Sequence, residues 1–292
     1  MHYTWGSWLD SILEISPISL LGIAVVVLIE IVVQGADNSL NVLRKSKARN
    51  FDLLGWSVFL MRFNPIFYDF ILLGTFIKLK GPIEANSLEL FSSVTEWPFA
   101  VRLIVSFLIY DFFQYVAHRL KHKISWLWIG HRWHHSTTEL NAFSHMRGHT
   151  LDYIVRTLCI AFPVIFILGV SFENIFWLWV AEDISQGLAH SRINTNYGFL
   201  GKVFCSPRYH RRHHSIDDPL CNYGLVFSFW DRIFGTYKDE SQSFAMATGT
   251  HFSPAYESQG AIKAYLNEFK NFVFYPVQRI LDLVCSLKNH TR

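Results

Sequence analysis

The sequence predicts an all-α, multi-pass transmembrane helical bundle of four to five spans with a cytoplasmic, histidine-rich cap. Three observations carry that expectation. Of 292 residues, 51% are hydrophobic and only 17% charged, against about 25% charged in soluble domains. Several apolar runs approach the ~20 residues that a helix needs to cross a bilayer. Finally, eleven of the fourteen histidines fall between His118 and His214. The expected organisation is an N-terminal transmembrane region over 1–98, a histidine-rich domain over 99–238, and a cytoplasmic or membrane-surface tail over 239–292.

The first apolar run covers 12–34 and carries two charges, Glu14 and Glu30. The second, 51–77, is interrupted by Arg62, Asn64, Pro65 and Asp69. The chain has five crossings if this run spans and four if it is re-entrant, which is tolerated where protein covers the backbone. A third run covers 99–117. Runs at 154–170 and 172–188 are joined almost directly and read as a tight helical hairpin. The tail over 260–287 mixes Lys and Glu with Phe, Leu and Val, the pattern of a helix lying on a membrane surface.

Basic residues set the expected orientation. Arg44, Lys45, Lys47 and Arg49 lie between the first two runs, Arg119, Lys121, Lys123, Arg132 and Arg147 follow the third, and Lys202, Arg208, Arg211, Arg212 and Arg232 follow the fifth. The stretch 81–98 has no Lys or Arg but carries Glu84, Glu89 and Glu96. This predicts an N-terminus outside and histidines and C-terminus in the cytoplasm, in a bacterial inner membrane or, in a eukaryote, the endoplasmic reticulum. The start of the chain lacks a basic region and a small-residue cleavage site, so no cleaved signal peptide is expected. A net charge of +3, spread over loops, argues against a nucleic-acid partner. Cys159, Cys205, Cys221 and Cys285 form no C-x-x-C pair and are expected as reduced thiols.

The histidines carry the chemistry. His118 and His122 form H-x3-H, while His131, His134 and His135 form H-x2-H-H. His210, His213 and His214 repeat that second spacing, and His190 stands alone at the end of the fifth run. Residues at i, i+3 and i+4 share a helix face, so each group points several imidazoles the same way. Neutral imidazole is the commonest metal ligand. Nine such residues exceed the needs of one ion and suit two. His2, His251 and His290 read as ordinary surface residues. His149 is a candidate extra ligand or a support for one, and His145 is a weaker one. Asp111 lies seven residues before His118 and Asp183 seven before the lone His190, and Asp111, Tyr115, His118 and His122 form one helical stripe. A carboxylate there either holds a ligand histidine through its second N–H or makes a helix–helix contact, for instance with Arg62.

The order of these motifs resembles the fatty acid hydroxylase / sterol desaturase superfamily of membrane di-metal oxygenases. YDFFQYVAHRLKH, IGHRWHHSTTELNAFSHMRGH and SPRYHRRHHSIDDPLCNYGLVFSFWDRIFGTY are similar to its three boxes. The resemblance covers about 99–238 and implies a small helical membrane bundle that activates O2 at two iron ions (zinc being an alternative occupant in isolated protein) and oxidises a lipid C–H bond. Carried across, its ligands are His118, His122, His131, His134, His135, His190, His210, His213 and His214. Two positions depart from it. Asn194 stands where some members have a further histidine, and Thr150 where the family often has proline.

An alkyl C–H bond has no acidic proton, so its oxidation needs redox chemistry beyond ordinary side chains. The reaction implied is hydroxylation, with desaturation as the alternative. The chain has no dinucleotide fingerprint and no iron–sulfur motif. A membrane lipid is therefore the expected substrate, and a separate reductase, ferredoxin or cytochrome the electron donor. A zinc hydrolase is disfavoured by the absence of H-E-x-x-H, and a metal transporter by ligands gathered at one surface. A haem-binding electron carrier leaves the H-x2-H-H doublets unexplained.

Overall fold

The computed structural model describes residues 21–44, 46–61, 97–161 and 172–290. Helices dominate: α1 (Leu21–Gln34), α2 (Ala36–Arg44), α3 (Ser46–Met61), α4 (Phe99–Lys123), α5 (Ser125–His135), α6 (Thr150–Ala161), α7 (Phe172–His190), α8 (Pro207–His213), α9 (Phe229–Ile233), α10 (Ser253–Gln259) and α11 (Ala261–His290). Among the described residues extended pairing is limited to two isolated antiparallel bridges, Phe204 with Phe227 and Ser215 with Thr248. The expected all-α class is what the described residues adopt.

The expected number of spans is not. Among the described residues one helix, Ala100–Lys123, is long and apolar enough to cross a membrane. This overturns the reading of four to five spans, and with it the multi-pass integral-membrane placement and its orientation. Within the described residues the other helices are short or charged. The described part of the first run, α1, has 14 residues. α3 has 16 residues and begins with Lys47, Arg49 and Asp52. α6 has 12 residues and carries Asp152 and Arg156. α7 reaches 19 residues but contains Glu173, Glu182 and Asp183. Residues 12–20, 62–77 and 162–170 of the predicted runs lie outside the described residues, as does Arg62.

Local chemistry explains the helix ends that matter. Pro98, with φ near −52°, begins α4, and Lys121, His122 and Lys123 occupy its last turn, where the helix dipole favours cations. Ile124 is extended, so the chain turns straight into α5. Ser206 caps α8 by accepting the Tyr209 N–H at 3.2 Å, and Pro207 takes the first helical position, where no N–H is needed.

α5 packs against α4, α6 and α11. The Arg132 guanidinium donates to both oxygens of Glu268 on α11, at 2.8 and 2.9 Å. Trp133 is fully buried with Phe51, Tyr256 and Ala264, so the second histidine box is clamped from its far side. α3 comes close as well. A Cβ on Gly55 would lie 2.6 Å from the Arg147 Cα, and Arg147 pairs with Asp52 at 2.7 Å. On α11 the exposed Ile262, Leu266, Phe269, Val273, Val277 and Ile280 follow helical spacing and form an apolar stripe along its outer face.

Candidate metal centre

Four helix ends converge on one point. His118 and His122 lie near the end of α4, His131, His134 and His135 toward the end of α5, and His190 is the last residue of α7. His210 and His213 close α8, and His214 caps it. The negative ends of the helix dipoles thus face the same volume, which favours a cation there.

The nine histidines form two adjoining clusters. His118, His122, His131, His135 and His213 make one, and His134, His190, His210 and His214 the other; within each, the ligand atoms lie within 4.8 Å of one another. The clusters abut where His135 stacks on His214, with ring centroids 4.2 Å apart. Each H-x2-H-H box is therefore split. In the second box, i and i+4 join the five and i+3 joins the four; in the third, i and i+4 join the four and i+3 joins the five. Helix geometry allows this, because positions i+3 and i+4 differ by about 100° around the axis.

The protons are arranged for metal binding. His118 Nδ1 donates to the Tyr223 carbonyl at 2.7 Å, His213 Nδ1 to Cys221 at 2.7 Å, and His190 Nδ1 to Gln186 at 2.7 Å. His134 Nδ1 donates to the Arg147 carbonyl at 3.3 Å. A carbonyl can only accept, so each of these rings carries its proton on Nδ1 and a lone pair on Nε2. In the five-histidine cluster every Nε2 is buried without a hydrogen-bond partner among the described residues. In the other, the Nε2 atoms of His134 and His190 face each other at 3.2 Å. Both carry lone pairs, so the contact is repulsive unless a cation lies between them. The His190–His210 and His210–His214 nitrogens are 3.1 Å apart. Nitrogens held about 2.1 Å from one ion, about 95–100° apart, are separated by about 3.1–3.2 Å. The donor set fits two metal ions. Burial holds His213 down at about 3 and keeps His131, His134, His135, His210 and His214 below their ordinary range, all in the neutral, coordinating form.

The acidic residues singled out in the sequence sit elsewhere. Asp111 touches no histidine. It accepts the Val226 and Phe227 N–H groups at 3.0 and 3.2 Å and the Trp230 indole N–H at 2.9 Å. It anchors the loop after the third box. Tyr115 joins the same loop through Thr236 at 2.8 Å. Asp183 lines a cavity beneath the clusters. Asn194 accepts from Arg208 at 2.7 Å on the exposed surface, away from both clusters. His149 is not brought in as a further ligand: its Nε2 donates to the Tyr265 carbonyl at 3.0 Å, and its Nδ1 accepts the Leu151 N–H at 3.2 Å. At Thr150, where the family often has proline, the backbone N–H finds the Tyr265 hydroxyl at 3.0 Å. His145 donates to Ala142 and approaches His190, with centroids 6.0 Å apart.

Sequence reasoning missed Asp152. Its Oδ1 lies 3.2 Å from His131 Nδ1 and 3.0 Å from Lys121 Nζ. Burial would raise its carboxyl, but Lys121 and His131 outweigh burial and hold it well below the ordinary carboxylate range. A carboxylate behind a ligand histidine orients the ring and raises its basicity. The 21-residue separation from His131 leaves no signal in spacing. Asp152→Asn is expected to weaken metal retention by the five-histidine cluster about 10–100-fold. Dialysis against graded chelator reads this directly, and unchanged retention would remove Asp152 from that role.

Buried His149 also sets a pH dependence. Burial lowers it from 6.5 to about 4. Between those values the unfolded chain binds the proton and the folded one does not, so stability falls as pH drops from about 6.5 toward 4, by about 1.4 kcal/mol per pH unit. His149→Gln should flatten the pH dependence of the urea midpoint over that window by about one proton. An identical slope in the variant would contradict the assignment.

Residues 103–236 match the fatty acid hydroxylase family model. The chain is 31% identical over 144 residues to an ornithine lipid hydroxylase of Rhizobium tropici, covering 49% of this chain and 43% of that protein. It is 30% identical over 147 residues to human alkylglycerol monooxygenase, covering 47% and 31%. A putative methylsterol monooxygenase of Dictyostelium discoideum is 27% identical over 140 residues, covering 46% and 50%. The matched region thus spans half or less of these relatives. No solved structure matches. With all nine clustered histidines inside the matched segment, the chain belongs, through residues 103–236, to the fatty acid hydroxylase / sterol desaturase superfamily of histidine-box proteins.

Proposed function

We propose that this protein is a di-iron oxidoreductase that uses O2 to hydroxylate a C–H bond of a lipid. The observation that carries the reading is the pair of abutting imidazole clusters, five and four: in the five no Nε2 has a hydrogen-bond partner among the described residues, and in the four the lone pairs of His134 and His190 face each other. Two adjacent redox ions supply the O2 activation that no side chain provides. The chain's own residues do the rest. The carbonyls of Tyr223, Cys221, Gln186 and Arg147 fix four rings in the coordinating tautomer. Asp152 and Lys121 steady His131. Burial keeps the rings neutral and water away. A haem reading fits poorly, since nitrogens 3.1–3.2 Å apart leave no room for a macrocycle between them.

The lipid class is proposed from the relatives, which are named for an ornithine lipid, alkylglycerols and a methylsterol. Hydroxylation converts R–H, O2, two electrons and two protons into R–OH and water. The electrons come from a separate reductase, ferredoxin or cytochrome. The test is metal analysis of the purified chain with mass spectrometry of lipids from cells that make it. The reading expects two irons per chain, no haem absorbance and a lipid that gains one oxygen. A lipid that loses two hydrogens instead would make the protein a desaturase on the same centre. No lipid change in iron-loaded cells would overturn the reading.

A further inference from the structure

Beneath the histidines, α4, α6 and α7 contribute to a cavity of about 70 Å³. It touches both clusters, through His118 and His131 of the five and His134 and His210 of the four. A substrate carbon reached by oxygen activated between two metals must lie where both clusters are exposed, and this cavity is such a place. Its remaining wall does not resemble a tunnel for hydrocarbon. Gln114, Arg156, Glu182, Asp183 and Gln186 line it, and among the described residues Leu225 is the single aliphatic side chain of the lining.

The polar wall is also held in place. Glu182, which is 1% exposed, accepts from the Tyr110 hydroxyl at 2.6 Å, from Gln114 at 2.8 Å and from Arg156. Gln186 donates to the Leu225 carbonyl. These bonds tie three helices together, so the polar groups cannot turn away to admit a methylene chain. Hydrocarbon pressed against such a wall takes the place of water that hydrogen-bonds to it, which is unfavourable.

We propose that the carbon oxidised by this protein sits directly beside a hydrogen-bonding group of the lipid, a hydroxyl, amine or amide, so that the head-group end and not the chain interior occupies the cavity under the two clusters. This rests on the oxygenase reading. In the step, the C–H bond next to the polar group breaks and a C–O bond forms with one atom of O2. The other atom leaves as water, with two protons and with two electrons from the external reductase.

Two measurements test it on the full chain. Cells making the protein are grown under heavy-isotope O2, and the labelled lipid is fragmented by tandem mass spectrometry. The label is expected on the fragment that carries the head group. Label in the chain interior overturns the proposal and leaves the oxygenase reading standing. Absence of label in a preparation that retains its iron removes both. Independently, the purified protein in phosphatidylcholine nanodiscs is photolabelled with a 1,2-hexadecanediol carrying a diazirine beside the diol, and with one carrying it at mid-chain. The first probe should mark peptides containing Gln114 or Gln186, and excess unlabelled diol should suppress the labelling at least several-fold. Marking of those peptides by the mid-chain probe instead, or by neither, overturns the proposal.

Discussion

Replacing His213 with Ala is expected to remove one of two bound metal ions and abolish lipid oxidation while leaving the helices intact. His213 is fully buried, and its ring centroid lies 4.5 Å from that of His118 and 4.6 Å from those of His122 and His135. Its Nδ1 is committed to the Cys221 carbonyl, so only Nε2 faces the cluster. Residues that merely support a ligand are worth about 10–100-fold in metal affinity, so loss of a coordinating nitrogen should exceed about 100-fold at that site. The matched control is His149→Ala. His149 is equally buried but spends both ring nitrogens outside the clusters, and should keep two metals. Elemental analysis of both variants decides the matter. Two irons and full activity in His213→Ala would sink the two-cluster assignment, whereas loss of iron in His149→Ala would place that residue in the centre after all.

Asp231→Ala is expected to be the most destabilising single change near the site, by about 3–5 kcal/mol, through several buried donors left unsatisfied at about 1–3 kcal/mol each. The Asp231 carboxylate accepts the N–H groups of Tyr223 and Gly224 at 2.9 and 2.8 Å, the Thr236 hydroxyl at 2.6 Å and the Tyr209 hydroxyl. The same loop presents the Tyr223 and Cys221 carbonyls to His118 and His213. Loosening it should release both rings, so metal loss should accompany loss of stability. The urea midpoint of the chelated protein measures the first effect and iron content the second. A large drop in stability with iron retained would separate the loop's structural task from its hold on the histidines. An unchanged midpoint would show that the network carries little.

The two variants differ in how visible they are in the chain. His213 stands out by spacing, because three imidazoles within five residues on one helix invite a metal. Asp231 lies in the short helix α9, and its four partners are scattered over 209–236. Nothing in local pattern links them. Asp111 shows the converse. Its place on the His118 stripe leaves open support of a histidine or a contact with another helix, and the fold gives it instead to the third-box loop. A helical stripe says which residues share a face and not which neighbour that face meets.

The sequence by itself determined the all-α class, the family and the nine histidines that now lie in two clusters, because helical spacing and motif order are local properties. It overestimated the spans, since apolar runs of marginal length carry carboxylates such as Glu182 whose partners, Tyr110, Gln114 and Arg156, come from other helices. Only the tertiary structure decided the division into five and four. Within one helix, positions i+3 and i+4 diverge by about 100°, and which cluster each joins depends on where the ends of α4, α7 and α8 arrive. The same holds for Asp152, which meets His131 only because α6 packs beside α5.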